Sequence, residues 1–340
     1  MDSIGGNSLV IKEININYVR NTLKEKETAT KQQIAKATGL SIVTVSTVLQ
    51  LLVKEKEVFE TALISSNGGR PAREFKYNFN YAYVLTLFPY EMNGDIIIHA
   101  EVLNLSGNFV DQINLTVERV DLNSFKKIIT LLLKRYKQIK SIGFGLPAFE
   151  SNGKLIFSDY SELTGISITH HFNQLFDLPV IMENDVNCAI LGFNKRKNIA
   201  LNGTLIYLYF PDQHPPGAGI SINGEVFKGK DNFAGEVASM PLGITWDKNL
   251  YESFDGFCHA VSKLIIAISS LLNPGYIVIN GSFLTMEHIH AISAISKKGL
   301  PPNVAPNILL SDNFTADYQI GLSMQTLMLL EPPIKLTTNY

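Results

Sequence analysis

Glu183-Asn184-Asp185 sets a carboxylate, an amide and a second carboxylate side by side, directly after the apolar run Val180-Ile181-Met182. A short apolar run that ends in polar residues reads as a strand giving way to a helix, and open α/β sheets bind ligands at the carboxyl ends of their strands. An amide donates and accepts, and a carboxylate accepts, so this row suits the adjacent hydroxyls of a sugar. The plainer reading is that Asp185 caps the helix that follows. A second constellation lies near the amino terminus. Ser65-Ser66-Asn67-Gly68-Gly69-Arg70-Pro71-Ala72-Arg73 is glycine-rich, carries two arginines, and is flanked by the strand-like Val58-Phe59-Glu60 and Phe75-Lys76-Tyr77. This reads as a wing, a β-hairpin offering Arg70 and Arg73 to DNA, with Arg70 suited to a narrow minor groove of negative potential. A solvated loop is the alternative.

Three other patterns carry no chemistry. Gly224-Glu-Val-Phe-Lys-Gly229-Lys230-Asp231 nearly fits a P-loop, but Asp231 stands where Ser or Thr must meet magnesium. His170-His171 begins no metal-ligand pattern and reads as a solvated helix surface. Cys188 and Cys258, both among apolar residues, make neither a disulfide framework nor a thiolate zinc site and read as core thiols.

The elements that must position these residues fall into a head and a body. In the head, residues 10–25 read as a helix with Ile16, Val19 and Leu23 on one face. Thr30-Lys-Gln-Gln33 is a capping box opening a second helix. Gly39 supplies a turn, and Ser41 caps a third helix running through Ile42-Val43-Thr44-Val45-Ser46-Thr47-Val48-Leu49. Ala35, Gly39 and Val45 have the spacing of a helix-turn-helix: a small residue where the helices touch, a glycine at the turn, and a β-branched residue beneath the second helix. A plain three-helix bundle would also explain the apolar pattern. If the third helix enters a major groove, Ser41, Val43, Thr44 and Thr47 point away from its apolar face towards DNA. The charge balance agrees weakly. Residues 1–80 hold 11 basic and 8 acidic side chains, against 18 and 23 in the remainder, within a net charge of −2.

The body alternates strands (residues 96–105, 141–145, 181–183, 205–210, 220–222 and 277–279) with helices (125–135, 186–194 and 261–272). Asn223-Gly224 makes a hairpin turn. With 340 residues, 46% hydrophobic, the chain can bury several cores. The longest apolar run, Leu264-Ile-Ile-Ala-Ile-Ser-Ser-Leu-Leu272, stops at Asn273-Pro274, short of the roughly 20 residues a membrane span needs. Neither a membrane span nor a signal peptide is expected, and a cytoplasmic location follows.

Several of these motifs together resemble the ROK family (repressors, open reading frames, sugar kinases). They are Thr38-Gly39-Leu40-Ser41 with Thr44-Val45-Ser46, Gly68-Gly69-Arg70-Pro71-Ala72, Gly143-Phe-Gly-Leu-Pro147, Leu178 to Asn187 around Glu183-Asn184-Asp185, Gly217-Ala-Gly219 to Gly224, Ala234-Gly235-Glu236, and Leu272-Asn273-Pro274 with Ile277 to Gly281. The resemblance spans nearly the whole chain in the family's order. It implies an α/β fold, with an N-terminal winged helix-turn-helix followed by two actin-like lobes of the ribonuclease H-like, sugar-kinase type. The expected units are residues 1–80, residues 81–190 with 311–340, and residues 191–310, the last also serving oligomerisation. It further implies that Asn184, Asp185, Glu236 and Glu252 bind a sugar; the residue matching Asp185 is the base in the family's kinases.

The departures from the family pattern decide the expected function. No Asp-x-Gly-Gly-Thr phosphate loop survives in residues 84–95, where Phe88, Pro89 and Tyr90 are bulky. Asp212-Gln213-His214-Pro215-Pro216 replaces a second phosphate loop and lacks two N–H donors. Ser239 stands where the family places a zinc-binding His, and residues 243–252 hold no Cys, so no metal and no cofactor is expected. Trp246 in that stretch could stack on a sugar, but filling space is the preferred reading. The expectation is therefore no catalytic residue, but a non-enzymatic transcriptional regulator, most simply a repressor. Its partners are a double-stranded DNA operator and a sugar effector, and it is a homodimer or homotetramer. A sugar kinase with a divergent nucleotide loop is one alternative; a DNA-binding protein with a body that serves only as a scaffold is another.

Overall fold

The computed structural model describes residues 4–66, 69–151, 153–199, 202–212 and 214–331. The head opens with α1 (Ile4–Lys26), which starts six residues earlier than the apolar spacing suggests. A short strand β1 (Thr28–Thr30) follows, then α2 (Lys31–Thr38) and α3 (Ile42–Lys54). The local signals act as their chemistry requires. Thr30 and Gln33 close a capping box, Gly39 takes φ +71 and donates its N–H to Ala35, and Ser41 Oγ accepts the N–H of Thr44. β2 (Val58–Ser66) and β3 (Gly69–Tyr77) form the wing, in a three-stranded antiparallel sheet of order β1-β3-β2. Both strands run longer than expected. The wing tip at Asn67 and Gly68 lies outside the described residues, as does the side chain of Arg70. Val19, Leu23, Ile34, Val45, Leu49 and Phe75 make a dry core. Beside it, buried Glu57 is held by Arg20 and by the Tyr77 hydroxyl at 3.1 Å, tying α1 to the wing.

The body holds two five-stranded sheets. The first contains β4 (Tyr83–Met92), β5 (Asp95–Asn104), β6 (Phe109–Val117), β7 (Ile139–Leu146) and β10 (Val180–Asn184), in the order β10-β7-β4-β5-β6. α4 (Leu122–Arg135) precedes β7. The hairpin β8 (Ala148–Ser151) and β9 (Lys154–Ser158), then α5 (Ile168–Phe176), lead to β10. After α6 (Asp185–Lys197) comes the second sheet: β11 (Thr204–Tyr209), β12 (Gly217–Ile222), β13 (Glu225–Val226), β14 (Tyr276–Asn280) and β15 (Asn307–Leu310), in the order β13-β12-β11-β14-β15. α7 (Lys248–Glu252) and α8 (Phe254–Leu272) precede β14, α9 (Met286–Gly299) precedes β15, and α10 (Phe314–Met328) follows it. Each sheet is thus an antiparallel meander whose first strand also pairs in parallel with one later strand, which in turn pairs in parallel with another.

Several details refine the expected elements. α8 begins at Phe254 rather than 261, since Ser253 caps it seven residues earlier. It is long and apolar enough to cross a membrane by length and composition. Phe257, Val261, Leu264, Ile265 and Ile268 instead pack it against the second sheet. Asn223 and Gly224 both take positive φ in the β12–β13 turn. Cys188 and Cys258 are buried free thiols. His170 is exposed on α5, while His171 lies edge-on to buried Phe172. Residue 190, the expected unit boundary, sits in the middle of α6, and residues 332–340 lie outside the described part.

α6 and α10 join the two sheets by crossing closely. A Cβ on Gly192 would lie 1.8 Å from the Asp317 carbonyl oxygen, and one on Gly321 1.8 Å from that of Cys188, so only glycine fits. At this crossing the fully buried Asp317 accepts hydrogen bonds from Arg196 Nε (2.8 Å), Tyr207 (3.1 Å) and Ser311 (2.5 Å). Paired and fully hydrogen-bonded, this carboxylate can remain buried.

Candidate functional site

β10 ends against β7, and there the chain turns into α6. Asn184 is the N-cap: its Oδ1 accepts the N–H groups of Val186 (2.9 Å) and Asn187 (3.2 Å), and its Nδ2 donates to Ala148 O (3.4 Å). The capping role considered for Asp185 thus falls chiefly to its neighbour, and the Asn184 amide is largely occupied. Asp185 Oδ1 accepts the Val186 N–H, at 2.9 Å. Glu183, buried, accepts from Asn184 N and Asn187 Nδ2 on one oxygen and pairs with Lys228 at 2.6 Å through the other. Lys228 reaches Glu183 from the segment after β13, which also donates Asn232 Nδ2 to Glu150 O at 2.6 Å.

Asp185 lies within electrostatic reach of other acids. Burial pushes its carboxyl up to about 6, against the favourable Val186 N–H, and the charges of Asp159 and Glu236 push the same way. Burial also raises Asp159, where nearby His214 opposes the shift and Glu91 adds to it. Glu236 is raised by burial and by Asp159. Asp185 and Glu236, both picked from the sequence, are therefore brought together, joined by Asp159 and Glu91, which were not. Glu252 is not among them: at the end of α7 it pairs with Lys248 at 3.6 Å, its side chain 65% exposed. A carboxyl that holds its proton more tightly than usual, as Asp185 does, can donate as well as accept, which suits a polyhydroxylated ligand.

Where the family's nucleotide loop would lie, β4 runs on as a strand into a tight hairpin with β5. Phe88, 3% exposed, packs against His99 and Tyr318, each with ring centroids 4.9 Å away. His99 Nε2 meets Glu101 Oε1 at 2.8 Å, Nδ1 meets Asn114 Oδ1 at 2.5 Å, and Gln319 donates to Glu101 at 2.8 Å. With an acceptor at each ring nitrogen, the imidazolium form is favoured: desolvation would lower the His99 pKa, but the bonds to Glu101 and Asn114 raise it overall. In the second loop, Asp212 is bonded to Ser282, and the Tyr251 hydroxyl donates to His214 O at 3.4 Å. Gln213 lies outside the described residues. Trp246 packs on Phe210 at 5.7 Å within the core of the second sheet, as filling would have it.

In the head, Val43 is 76% exposed on α3, and Ile42, not singled out by the sequence, is also exposed. The Ser41 and Thr44 hydroxyls bond each other at 2.9 Å, and Thr47 Oγ1 donates to Val43 O at 3.1 Å. Arg73 pairs with Glu60 across the wing.

The chain thus has a head of three helices and a three-stranded antiparallel sheet, followed by an α/β body of two like-ordered five-stranded sheets. Residues 96–249 match the model of the ROK family, and the chain carries a ROK family domain. It is 26% identical over 253 residues to a xylose repressor of Caldicellulosiruptor bescii, covering 71% of this chain and 62% of that one. It is 23% identical over 255 residues to the xylose repressor of Bacillus subtilis, covering 70% and 63%. The chain thus spans about 62% of the length of the curated relatives it matches. Among solved structures, a ROK family transcriptional regulator, homologous to the Escherichia coli MLC protein, is similar with a TM-score of 0.63 at 15% identity, over 94% of this chain and 98% of that one. A ROK hexokinase from Thermus thermophilus is similar with a TM-score of 0.58 at 15% identity, over 72% and 98%.

Proposed function

We propose that this protein is a cytoplasmic DNA-binding transcriptional regulator, a repressor, whose body binds a sugar or sugar derivative beside Asp185 and Glu236 and transfers no phosphate. One observation carries the reading: the carboxylates that suit a polyol are kept, while the hairpin that should admit nucleotide phosphates is packed with Phe88, His99 and Tyr318. Phosphoryl transfer depends on positioning and neutralising those phosphates, so it has no seat here. The head supplies the output. Ser41, Val43, Thr44 and Thr47 face the DNA, and Arg70 and Arg73 of the wing reach its backbone or minor groove, Arg73 by exchanging Glu60 for phosphate. The units divide at residues 80, 190 and 310, with α6 and α10 as the crossing between lobes. Effector binding shifts the lobe angle there, and with it the spacing of two heads in an even-numbered oligomer.

The test is thermal unfolding against a panel of sugars, amino sugars and sugar phosphates, with Asp185→Ala alongside. A ligand at ~100 times its Kd stabilises its domain by about 2.7 kcal/mol, a shift of several degrees. A shift lost in the variant supports the reading; no shift with any ligand moves weight to a body that is only a scaffold. One observation favours the kinase alternative: a carboxyl raised to about 6, as Asp185 is, suits a general base near neutrality. That alternative requires sugar-dependent ATP hydrolysis that Asp185→Ala abolishes.

A further inference from the structure

We infer that the groove between α1 and α3 of the head is a docking surface for a second copy of this chain, the two α1 helices packing antiparallel about a two-fold axis at Lys12 and Glu13. The groove holds about 440 Å³ and is mostly apolar, lined among others by Ile11, Lys12 and Ile16 of α1 and by Thr47, Val48 and Leu51 of α3. Its α1 wall runs on past the end of the head. The core takes Ile16, Val19 and Leu23 from this helix, while Leu9 is 65% exposed and Val10 and Ile11 are exposed beside it. A helix end carrying three exposed apolar residues in a row, with an apolar groove alongside, is a surface that marks association.

The occupant follows from pattern and charge. Leu9 and Ile16, seven residues apart, fall on one line along α1, with Lys12 and Glu13 flanking it. Leu9 lies about 10 Å further along a continuous helix than Ile16, so it cannot fold back into its own groove. In an antiparallel pair, Leu9 of each copy meets Ile16 of the other at the mouth of the groove, and Lys12 of each faces Glu13 of the other. Among the described residues, neither Lys12 nor Glu13 has an ion-pair partner within the chain. One sequence thus supplies ridge, groove and both charges, as an isologous two-fold contact requires. Thr44 and Thr47 line the same groove, so this pairing and DNA contact through those side chains exclude each other. The pairing belongs to the DNA-free protein.

Disulfide capture in the full chain, without DNA, tests this. Cys188 and Cys258 are buried, so a new surface thiol reports alone. Lys12→Cys places one thiol of each copy at the axis. Tyr18→Cys is the control: exposed, nine residues on and about half a turn round α1 from Leu9. Thiols held in one complex meet at roughly millimolar effective concentration, so at micromolar protein Lys12→Cys should form a covalent dimer on the order of a hundredfold faster than Tyr18→Cys. Adding Leu9→Asp, at an exposed position that leaves the core untouched, should remove that advantage. Equal rates for the two thiols, or a Lys12→Cys rate unchanged by Leu9→Asp, would overturn the assignment. Association through the body alone gives the first of these outcomes.

Discussion

The surroundings of Asp185 and of Phe88 are built from opposite materials. Around Asp185, carboxyl groups from four separate segments come within electrostatic reach, and burial raises three of them. Around Phe88, rings pack at 4.9 Å and His99 has an acceptor at each ring nitrogen. The first region is held in a state that costs stability; the second is satisfied apart from the Tyr318 hydroxyl, which is buried without a hydrogen-bond partner among the described residues. Structural packing alone accounts for the second more fully than for the first, where raised carboxyl groups gather as they do at functional sites.

Breaking the satisfied side should cost most. Phe88→Ala removes a fully packed ring and is expected to destabilise the body by about 3–5 kcal/mol, read as a lowered urea midpoint. It should not confer ATP binding, since the Asp-x-Gly-Gly-Thr amides are absent whether or not the ring is there. Nucleotide-dependent protection of this variant would mean that the ring alone blocks a working phosphate site, and the contrast between the two regions would fall.

The strained side should respond with the opposite sign. Asp185 has a folded pKa of about 6 against an ordinary 3.8. A raised carboxyl contributes its stability below 3.8 and loses it as the pH climbs through 6. Asparagine mimics the protonated form and keeps the oxygen that accepts the Val186 N–H. Asp185→Asn is therefore expected to stabilise the ligand-free protein above pH 7 by on the order of 1–2 kcal/mol, allowing for partial exposure. Below pH 4 the gain should vanish. Equal stability of the two proteins at pH 8 would show that Asp185 is not strained.

What was legible in the sequence followed the range of the interactions. The capping box at Thr30, the turn at Gly39 and the cap at Ser41 span at most three or four residues, and each could be read directly. Glu183-Asn184-Asp185 was legible because a strand end and a helix start meet within five residues. Asp159 and Glu91 were not: one follows the β8–β9 hairpin and the other lies near the end of β4, only the fold brings them within electrostatic reach of each other, and Asp159 sits in Ser158-Asp159-Tyr160-Ser161, which has no distinguishing pattern. Glu252 was placed by alignment through a divergent stretch, and the five-residue α7 turns it to Lys248 instead. The Arg73–Glu60 pair depends on a register that shifts between Glu60 and Leu63, which no residue type announces. The His99–Glu101 pair did leave a signal, since residues two apart share one face of a strand, but without the sheet nothing said that this face is buried.

That pair offers the smallest and finest test of the contrast. His99 is desolvated, which would lower its pKa, yet the bonds to Glu101 and Asn114 raise it above the ordinary imidazole value. A raised histidine contributes stability in full below the ordinary value near 6.5, and that contribution fades as the pH rises through the higher folded value. Glu101→Gln keeps the shape but removes the charge that holds the proton, so the His99 pKa should fall, visible in the imidazole proton shifts by NMR. Wild-type stability should then decline above pH 6.5 more steeply than that of Glu101→Gln, by less than about 1 kcal/mol in total. The slope belongs to Phe88's neighbourhood and not to the acids around Asp185, so it should survive Asp185→Asn unchanged. If Asp185→Asn moves the His99 titration, the two regions are coupled across α10, which carries Tyr318 and Gln319.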